Sequence, residues 1–526
     1  MDQDNLNNNI QNIFKKLPKG CDLHVQYNSV IDYDEILLEM EKSTIYDTIL
    51  YDKQKQVFRI VDAQTYYKNE KFQDKDLYAK YFKNEKYIRE LISKELQQQI
   101  RLSKVKQQPE NQQKEDGDEN SNSQEQEQQS QDLQQQENED SQENNLQVEQ
   151  FDTDQFLSEY RTLNSLFQNI LGSDIFFKNY CSLLFEHMEQ QAINLLEIRM
   201  KVDLKEIKKH VNFKQLLDCL IGLNEQNIRN NRQVRIIASF NRNQQNLEEN
   251  VLEFLNFLNE RKKYKLIING IDFNGQELAG INKELMENEE ILNLMKKLNI
   301  QFYNSVGEML IKSEYQEYFG WQDNHNLNNV LYQLEHKQKY PDIYKKPVRI
   351  GNGIIFLQWL DFLQRSQKDE NLSQEQKAEN KVQYEKYEKL SQNVCFEVSP
   401  FSNLIFYGNQ LEKQIFEKYA DRICLCGDNQ NKIDMNLSNV FHYLFLNLEV
   451  SYDSMIKMIK NSIKFSGLDT VIIKEIEKQF EKDLEEWEDE YKQQIIESQG
   501  QEEHKLIFQK PWWQYETYKV YKRATR

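Results

Sequence analysis

Short apolar runs recur along the chain and alternate with segments in which apolar residues have helical spacing. The segment 288–299 is one of these segments, because Ile291, Leu292, Met295 and Leu298 fall on one helical face. Eight runs are rich in apolar and β-branched residues, as strands buried on both faces are: 20–26, 192–200, 234–240, 265–273, 300–306, 348–353, 394–399 and 422–427. Eight strands that alternate with helices predict an α/β fold, a (β/α)8 TIM barrel.

The chain is longer than one barrel requires. Its 526 residues include two stretches, 27–191 and the polar, helix-like 366–383, that we expect to be long insertions. The 38% of hydrophobic residues excludes a collagen and a wholly disordered chain. No stretch approaches the ~18 uninterrupted apolar residues of a membrane-spanning helix, and the first twenty residues lack the apolar centre of a signal peptide. We therefore expect a cytoplasmic protein without membrane contact, whose six cysteines are reduced.

Charge is distributed unevenly along the sequence. Residues 107–150 hold thirteen acidic side chains and one basic side chain, Lys114, which together account for most of the net charge of -19. Such a polar, self-repelling composition predicts a disordered acidic insert. The segment 510–526 instead has five basic residues against one acidic residue, interleaved with two Trp and three Tyr. These shifts predict four regions: the start of the barrel at 1–106, the insert at 107–150, the rest of the barrel at 151–495 and a tail at 496–526.

The basic, aromatic segment near the end of the chain is a candidate for docking. Trp, Tyr and Arg dominate the hot spots of protein interfaces, and the other interpretation is that Trp512 and Trp513 cover the outer surface of the barrel. The net negative charge would repel a phosphate backbone, and no nucleic-acid-binding module accompanies the segment. We therefore expect a protein partner, engaged through the insertions and the 510–526 segment, and no nucleic acid.

A TIM barrel displays its chemistry at the carboxyl ends of its strands. Polar residues and glycines are frequent there, and we expect them to converge on one mouth: His24, Gln26, Glu197, Arg199, Gly275, Gln276, Glu277, Ser305, Gly307, Glu308, Asn352, Asp428 and Asn429. Of these, Glu197 and Arg199 are predicted to form a structural ion pair inside the barrel. Cys424 and Cys426, which alternate on the eighth strand, are predicted to be small core residues.

Motifs at these strand ends resemble the adenosine deaminase superfamily of metal-dependent amidohydrolases, and most closely its adenosine-deaminase-related growth factor branch. They follow the order of the family: LPKGCDLHVQYN (17–28), GIDFNGQE (270–277), FYNSVGE (302–308), RIGNG (349–353), FEVSPFSN (396–403) and, more weakly, CGDNQ (426–430). Each motif is short, but their common order at successive strand ends is specific. The resemblance covers residues 13–490 and implies a TIM barrel of the amidohydrolase type.

The resemblance also implies where a zinc ion would be bound. In active members, the two histidines of a His-x-His motif, a third histidine and an aspartate hold zinc, which lowers the pKa of a bound water from ~15.7 to ~7. The corresponding residues here are His24, Gln26, Ser305 and Asp428. An amide and a hydroxyl are weak zinc ligands, so we expect no metal cofactor. His24 is then interpreted as a hydrogen-bonded histidine of the mouth, and Arg199 or His24 as the replacement for the charge of the zinc.

Other positions of the family are retained in part. Glu308 corresponds to the carboxylate that protonates the purine ring. Asn352 replaces the histidine that assists deprotonation of the attacking water, and an amide cannot shuttle a proton at neutral pH. Gly275 lies in the loop that contacts the base, while Asn429 and Asn28 replace acidic residues and can still hydrogen-bond a nucleoside.

These substitutions lead to one leading hypothesis and two alternatives. The leading hypothesis is a catalytically inactive pseudoenzyme that serves as a structural or regulatory subunit of a larger assembly, and a cytoskeletal or ciliary assembly fits it. Glu308 and Asp428 are then either remnants of catalysis or ordinary hydrogen-bonding residues. The alternatives are hydrolytic deamination of adenosine at an altered zinc site, and a purine nucleoside sensor that binds without turnover through Gly275, Glu308 and Asn429.

Overall fold

A computed structural model of the chain describes residues 3–27, 30–31, 49–52, 57–60, 177–202, 212–227, 230–275, 282–307, 325–401, 411–428 and 436–498. The chain divides into two compact units, residues 1–85 with 165–526 and residues 86–164, and all described residues belong to the first unit. The predicted acidic insert at 107–150 and the segment 510–526 lie outside the described residues, so the four predicted regions stay predictions.

Among the described residues, eight parallel strands form the centre of this unit, and each of the eight apolar runs in the sequence overlaps one of them. β1 to β4 and the first segment of β5 form one sheet in chain order, and the second segment of β5 forms another sheet with β6 to β8. The bounds are β1 Gly20–Gln26, β2 Ile193–Lys201, β3 Gln233–Asn241, β4 Ile268–Asn274, β5 Gln301–Phe302 and Ser305–Val306, β6 Val348–Asn352, β7 Val394–Val398 and β8 Ile423–Leu425.

The two sheets meet at both of their edges. At one edge, Tyr303 lies between the two segments of β5 and donates its backbone N–H to Ile271 O on β4 at 2.8 Å. At the other edge, Val25 of β1 and Asp428, just after β8, form an isolated parallel bridge. The strand order is therefore that of a (β/α)8 barrel, and the predicted α/β fold is confirmed. The last strand joins the first through one bridge instead of a continuous ladder.

Helices alternate with the strands along the chain. The four apolar residues that the sequence places on one face of the segment 288–299 are all buried in α6. The bounds are α1 Gln3–Lys16, α2 Phe177–Gln190, α3 Asn212–Asn227, α4 Leu247–Glu260, α5 Lys283–Met286, α6 Glu289–Leu298, α7 His325–Lys339, α8 Ile354–Ser366, α9 Gln374–Leu390, α10 Lys413–Lys418, α11 Leu437–His442, α12 Tyr452–Lys464, α13 Thr470–Trp487 and α14 Gln493–Ser498. Within the ranges given above, no helix is long and apolar enough to span a membrane.

Both stretches that the sequence analysis expects to be long insertions contain described elements. A hairpin of the antiparallel strands Ile49–Asp52 and Val57–Ile60 belongs to the long connection between β1 and β2. The polar segment before β7 contains α9, which begins with a capping box: Gln376 N donates to Ser373 Oγ at 3.2 Å, and Ser373 N donates to Gln376 Oε1 at 3.0 Å. No residue of α9 is buried, as is typical of a helix on the surface.

The apolar core lies between the strands and the surrounding helices. Phe254 and Leu255 of α4 and Met295 of α6 are fully buried there. The interior of the barrel is different, because branched aliphatic residues normally fill it and here charged side chains do. Glu197 and Arg349 are both completely buried inside the ring of strands. These charges need partners, since an unpaired buried charge costs several kcal/mol or more.

Candidate functional site

The structure brings several of the predicted site residues to one end of the barrel. His24 and Gln26 lie on β1, Ser305 on β5 and Asn352 at the end of β6, while Asp428 follows β8. His24 Nε2 lies 3.9 Å from Asp428 Oδ1, so these two side chains meet across the β1–β8 edge.

Five other residues predicted for the mouth are not described by the structure. Glu308, Asn28, Asn429 and the pair 276–277 lie outside the described residues, so their roles stay predictions. Gly275 is described and directly follows β4.

The backbone is in the left-handed region at the carboxyl ends of four strands, at Gly275, Gly307, Asn352 and Asp428. Asn352 has φ 66° and Asp428 has φ 49°, a conformation that Asn and Asp adopt more readily than other side chains. Asp428 is fixed there because its N–H donates to His24 O at 2.8 Å and its carbonyl accepts from Gln26 N at 3.1 Å. Gly275 has φ 101°, and a Cβ there would lie 2.9 Å from the side-chain oxygen of Asn241, so only glycine fits.

His24 is a buried, hydrogen-bonded histidine, as the sequence predicts. It is 1% exposed, and its Nδ1 donates to Glu397 Oε2 at 2.9 Å. This bond fixes the orientation of the ring and leaves Nε2 directed toward Asp428.

Glu397 on β7 is the centre of the charged network in the barrel. Its Oε2 also accepts from Arg199 Nη2 at 2.5 Å, and its Oε1 accepts from Arg349 Nε at 2.6 Å. Burial raises the pKa of a carboxyl group, but the two guanidinium groups and His24 outweigh burial and hold the pKa of Glu397 well below its usual range. Glu397 is therefore an anion under all ordinary conditions.

A second carboxylate, Glu197 on β2, is bound from two sides. Its carboxylate accepts from Arg349 Nη2 and from Asn269 Nδ2, the latter at 2.5 Å. Burial raises the pKa of Glu197, and Arg349 opposes this effect. The predicted ion pair between Glu197 and Arg199 is therefore wrong in its partners, because each residue pairs with a residue of another strand: Glu197 with β6 and Arg199 with β7.

Ser305 is bound to a buried aspartate that the sequence analysis did not single out. Asp272 on β4 accepts from Ser305 N at 2.8 Å and from Ser305 Oγ at 3.2 Å. It also accepts from Ser239 Oγ at 2.9 Å and lies 3.4 Å from Arg199 Nη1. The hydroxyl at the position of the family's third histidine is thus part of a hydrogen-bond network among protein groups.

Asp22 adds a carboxyl group that is protonated over much of the neutral range. It is fully buried on β1 and accepts from Gly427 N at 3.2 Å. Burial raises its pKa to about 8, and the charges of Asp428 and Glu397 contribute to the shift. Beside the mouth, this side chain can therefore act as a neutral acid.

The donors at the predicted metal positions do not fit the zinc ion that the fold family implies. Only His24 and Asp428 are strong donors, and a catalytic zinc site needs three protein ligands. Ser305 already hydrogen-bonds Asp272. Among the residues that the structure describes, no group of three or more His, Cys, Asp or Glu side chains is placed to hold a metal ion. No step of a reaction is therefore derived through zinc.

Three residues of the network are recognisable in the sequence as charged residues within apolar runs. Arg349, Glu397 and Asp272 each interrupt an apolar run with a charge, and each lies in one of the quoted motifs. A charge inside a strand that is buried on both faces requires a partner inside the barrel. Cys424 and Cys426, by contrast, are fully buried core residues, as predicted.

Comparisons with known proteins agree with the architecture. No protein-family model and no curated protein matches the sequence. Arabidopsis ADAL complexed with GMP matches with TM-score 0.50 and 13% identity over 89% of this chain and 98% of that chain. The N6-methyl-AMP deaminase from Arabidopsis thaliana matches with TM-score 0.50 and 13% identity over 90% and 98%, and Arabidopsis ADAL complexed with IMP with 0.50 and 12% over 90% and 98%. One of these structural neighbours is an N6-methyl-AMP deaminase, and this chain has the fold that they share.

Proposed function

We propose that this chain is a catalytically inactive deaminase-like protein that serves as a structural or regulatory subunit of a larger assembly. The observation that carries the proposal is the donor set of the mouth. At the four positions that would hold zinc there are two strong donors, and the serine at a third position is hydrogen-bonded to Asp272. Without a metal there is no activated water, which is the nucleophile of hydrolytic deamination.

The charge balance of the interior supports the proposal. Arg199 and Arg349 bring two permanent positive charges among the buried carboxylates of Glu197, Glu397 and Asp272. Guanidinium groups keep their charge at any ordinary pH, so they compensate two of these three negative charges without a metal ion. The sequence analysis expects Arg199 or His24 to take over the charge of the zinc, and the proposal adds Arg349 to this role.

Asn352, which replaces the histidine that assists deprotonation of water in the resembling family, also supports an inactive site. Asn352 is buried at the end of β6, and its amide can neither take up nor release a proton at neutral pH. Glu308, if it retained its role, would supply only part of the ~10² to 10⁴ that one acid-base group contributes. That contribution is far below the acceleration of a whole enzyme.

The experiment combines metal analysis with an activity assay. The purified chain is expected to contain no stoichiometric zinc, iron or manganese, and to release no ammonia from adenosine or AMP with or without added zinc. Stoichiometric metal together with chelator-sensitive ammonia release would overturn the proposal and support the alternative, a deaminase with an altered zinc site.

A nucleoside sensor is the second candidate, and one observation favours it. Gly275 keeps the positive φ that only glycine adopts freely, at the start of the loop that contacts the base in the resembling family. Calorimetry with adenosine and inosine distinguishes the two candidates. Saturable binding without turnover supports the sensor, whereas no heat with either nucleoside supports a structural subunit whose protein partner contacts the insertions and the 510–526 segment.

A further inference from the structure

The amino-terminal pole of the barrel, opposite the mouth, contains three basic residues that differ in burial and in how many of their hydrogen-bond donors have partners. Lys19 directly precedes β1, is fully buried and donates to three backbone carbonyls, at 2.8 to 3.0 Å. All three of its N–H groups are thereby used. Arg235 near the start of β3 and Lys346 just before β6 are half-buried, and their hydrogen bonding is incomplete.

Arg235 has donors that no protein group satisfies. Its Nη2 donates to Gln233 Oε1 at 3.2 Å, while its Nε is shielded from solvent and has no hydrogen-bond partner. In the sheet Arg235 is in register with Glu197, but the carboxylate of Glu197 already accepts from Arg349 and Asn269. Glu197 is therefore bound to other residues and is not free to pair with Arg235. A buried donor without an acceptor costs about 1–3 kcal/mol.

Lys346 is connected to Glu197 through the side chain of Asn269. Its Nζ donates to Asn269 Oδ1 at 2.6 Å. Burial, with a smaller contribution from Arg235 and Arg349, lowers the pKa of Lys346 to about 8, although Glu197 and Asp469 oppose the shift. Lys346 is therefore only about half protonated near pH 8, although an anion beside it would favour the charged form.

Asp469 is the remaining acidic residue near this pair. It occupies the N-cap position of α13, but its side chain makes no capping hydrogen bond. Its charge raises the pKa of both Arg235 and Lys346. Within the described residues, the side-chain hydrogen bonds of Arg235 and Lys346 go to Gln233 and Asn269, and neither cation forms an ion pair with Asp469. The pole thus has two cations whose charge is compensated only at a distance.

We propose that Arg235 and Lys346 form a binding site for a phosphate dianion, either inorganic phosphate or a phosphate monoester. A guanidinium fork matches the oxygens of phosphate. Two cations also favour a doubly charged ligand over a ligand that carries a single carboxylate. Gly467, with φ 70°, turns beside the site, and a Cβ there would lie 3.6 Å from Lys346 Cδ. The site is at the opposite end of the barrel from the mouth, so it does not depend on the proposed function.

Calorimetric titration of the full chain with inorganic phosphate, and separately with glycerol 3-phosphate, tests the proposal. We expect saturable binding of at least one of the two, and their difference tells whether the ligand is free phosphate or a monoester. At pH 8 binding should take up protons, because the bound dianion shifts Lys346 to its charged form; buffers of different ionisation enthalpy measure this uptake. Absence of saturable binding for both ligands would overturn the proposal.

Variants make the test specific to the two cations. Arg235→Gln and Lys346→Gln should each weaken binding about tenfold or more, and Lys346→Gln should also abolish the proton uptake. Lys381→Gln removes the same charge from an exposed position on α9 and should leave binding unchanged. Asp469→Asn should tighten binding, because it removes a competing negative charge while Asn remains a good N-cap. If Asp469→Asn and Lys346→Gln both bind like the unsubstituted chain, the assignment is wrong.

Discussion

Glu397 accepts hydrogen bonds from His24, Arg199 and Arg349, and so joins strands from opposite parts of the barrel. Taking charged groups out of water costs several kcal/mol for each ion, and their mutual attraction repays this cost only when the geometry is good. Each charged group of the cluster therefore needs the others to offset the free-energy cost of its burial. Removal of one partner is expected to cost far more than the loss of a surface ion pair.

Arg349→Met tests this dependence. The substitution leaves Glu197 and Glu397 without their shared cation, so we expect the free energy of unfolding to fall by ~3–5 kcal/mol. Urea denaturation at neutral pH measures it. The matched control is Arg365→Met, which removes an arginine whose side chain is 60% exposed and whose partner Asp361 keeps its ion pair with Lys418 at 2.6 Å, so it should cost less than ~1 kcal/mol. Equal effects of the two substitutions would contradict the central role of the cluster.

Asp22→Asn tests the protonation of the buried acid. The pKa of Asp22 is about 8 in the folded chain, against an ordinary value of 3.8. Between these values the folded state holds a proton that the unfolded state has lost, so the stability contributed by Asp22 falls as pH rises from ~4 to ~8 and is constant above. Asn does not titrate, and its oxygen can still accept from Gly427 N.

Unfolding of this variant and of the unsubstituted chain is therefore compared at pH 5, 7 and 9. The variant should gain stability relative to the unsubstituted chain as pH rises, by at most roughly 1.4 kcal/mol per pH unit. Parallel pH profiles would show that Asp22 titrates normally.

At the scale of the strands, the ends of β6 and β8 have an unusual backbone, and the side chains at the predicted metal positions differ from those that the resemblance implies for active members. Asn352 and Asp428 both have positive φ, which costs free energy in most sequences and is frequent at functional sites. The side chains at the predicted metal positions are nevertheless an amide and a hydroxyl at 26 and 305. We therefore expect these strand ends to bind a metal ion if strong donors are placed at these two positions.

The double substitution Gln26→His with Ser305→His tests this expectation. Together with His24 and Asp428, it would provide four strong donors, so we expect about one zinc ion per chain. Asp272 would lose its bond from Ser305 Oγ but keep that from Ser239. Metal analysis after dialysis against zinc is the measurement. The same positions changed to Asn serve as the control and should bind no zinc; zinc in both variants, or in neither, would contradict the interpretation.

At the scale of the whole molecule, the strands could be predicted from the sequence and the network inside them could not. Each strand is an apolar run that local pattern reveals. The predicted run 265–273 begins three residues before β4, because Leu266, which ends the turn Lys262–Leu266, and Ile267 extend the apolar pattern ahead of the strand. The partners of Arg199 and Glu197 depend on the register of strands distant in sequence. No local pattern contains that information, so the sequence suggested the nearest opposite charge instead.

The same network predicts how the folded chain responds to removal of metals. A bound metal stabilises a protein by an amount that grows with its concentration relative to its Kd, whereas ion pairs among side chains do not depend on it. We therefore expect the thermal midpoint of the unsubstituted chain to be the same with excess EDTA and with added zinc. The Gln26→His, Ser305→His variant should instead melt at a lower temperature in EDTA than in zinc. A fall of several degrees for the unsubstituted chain in EDTA would mean that a metal, and not Arg199 and Arg349 alone, balances the buried carboxylates.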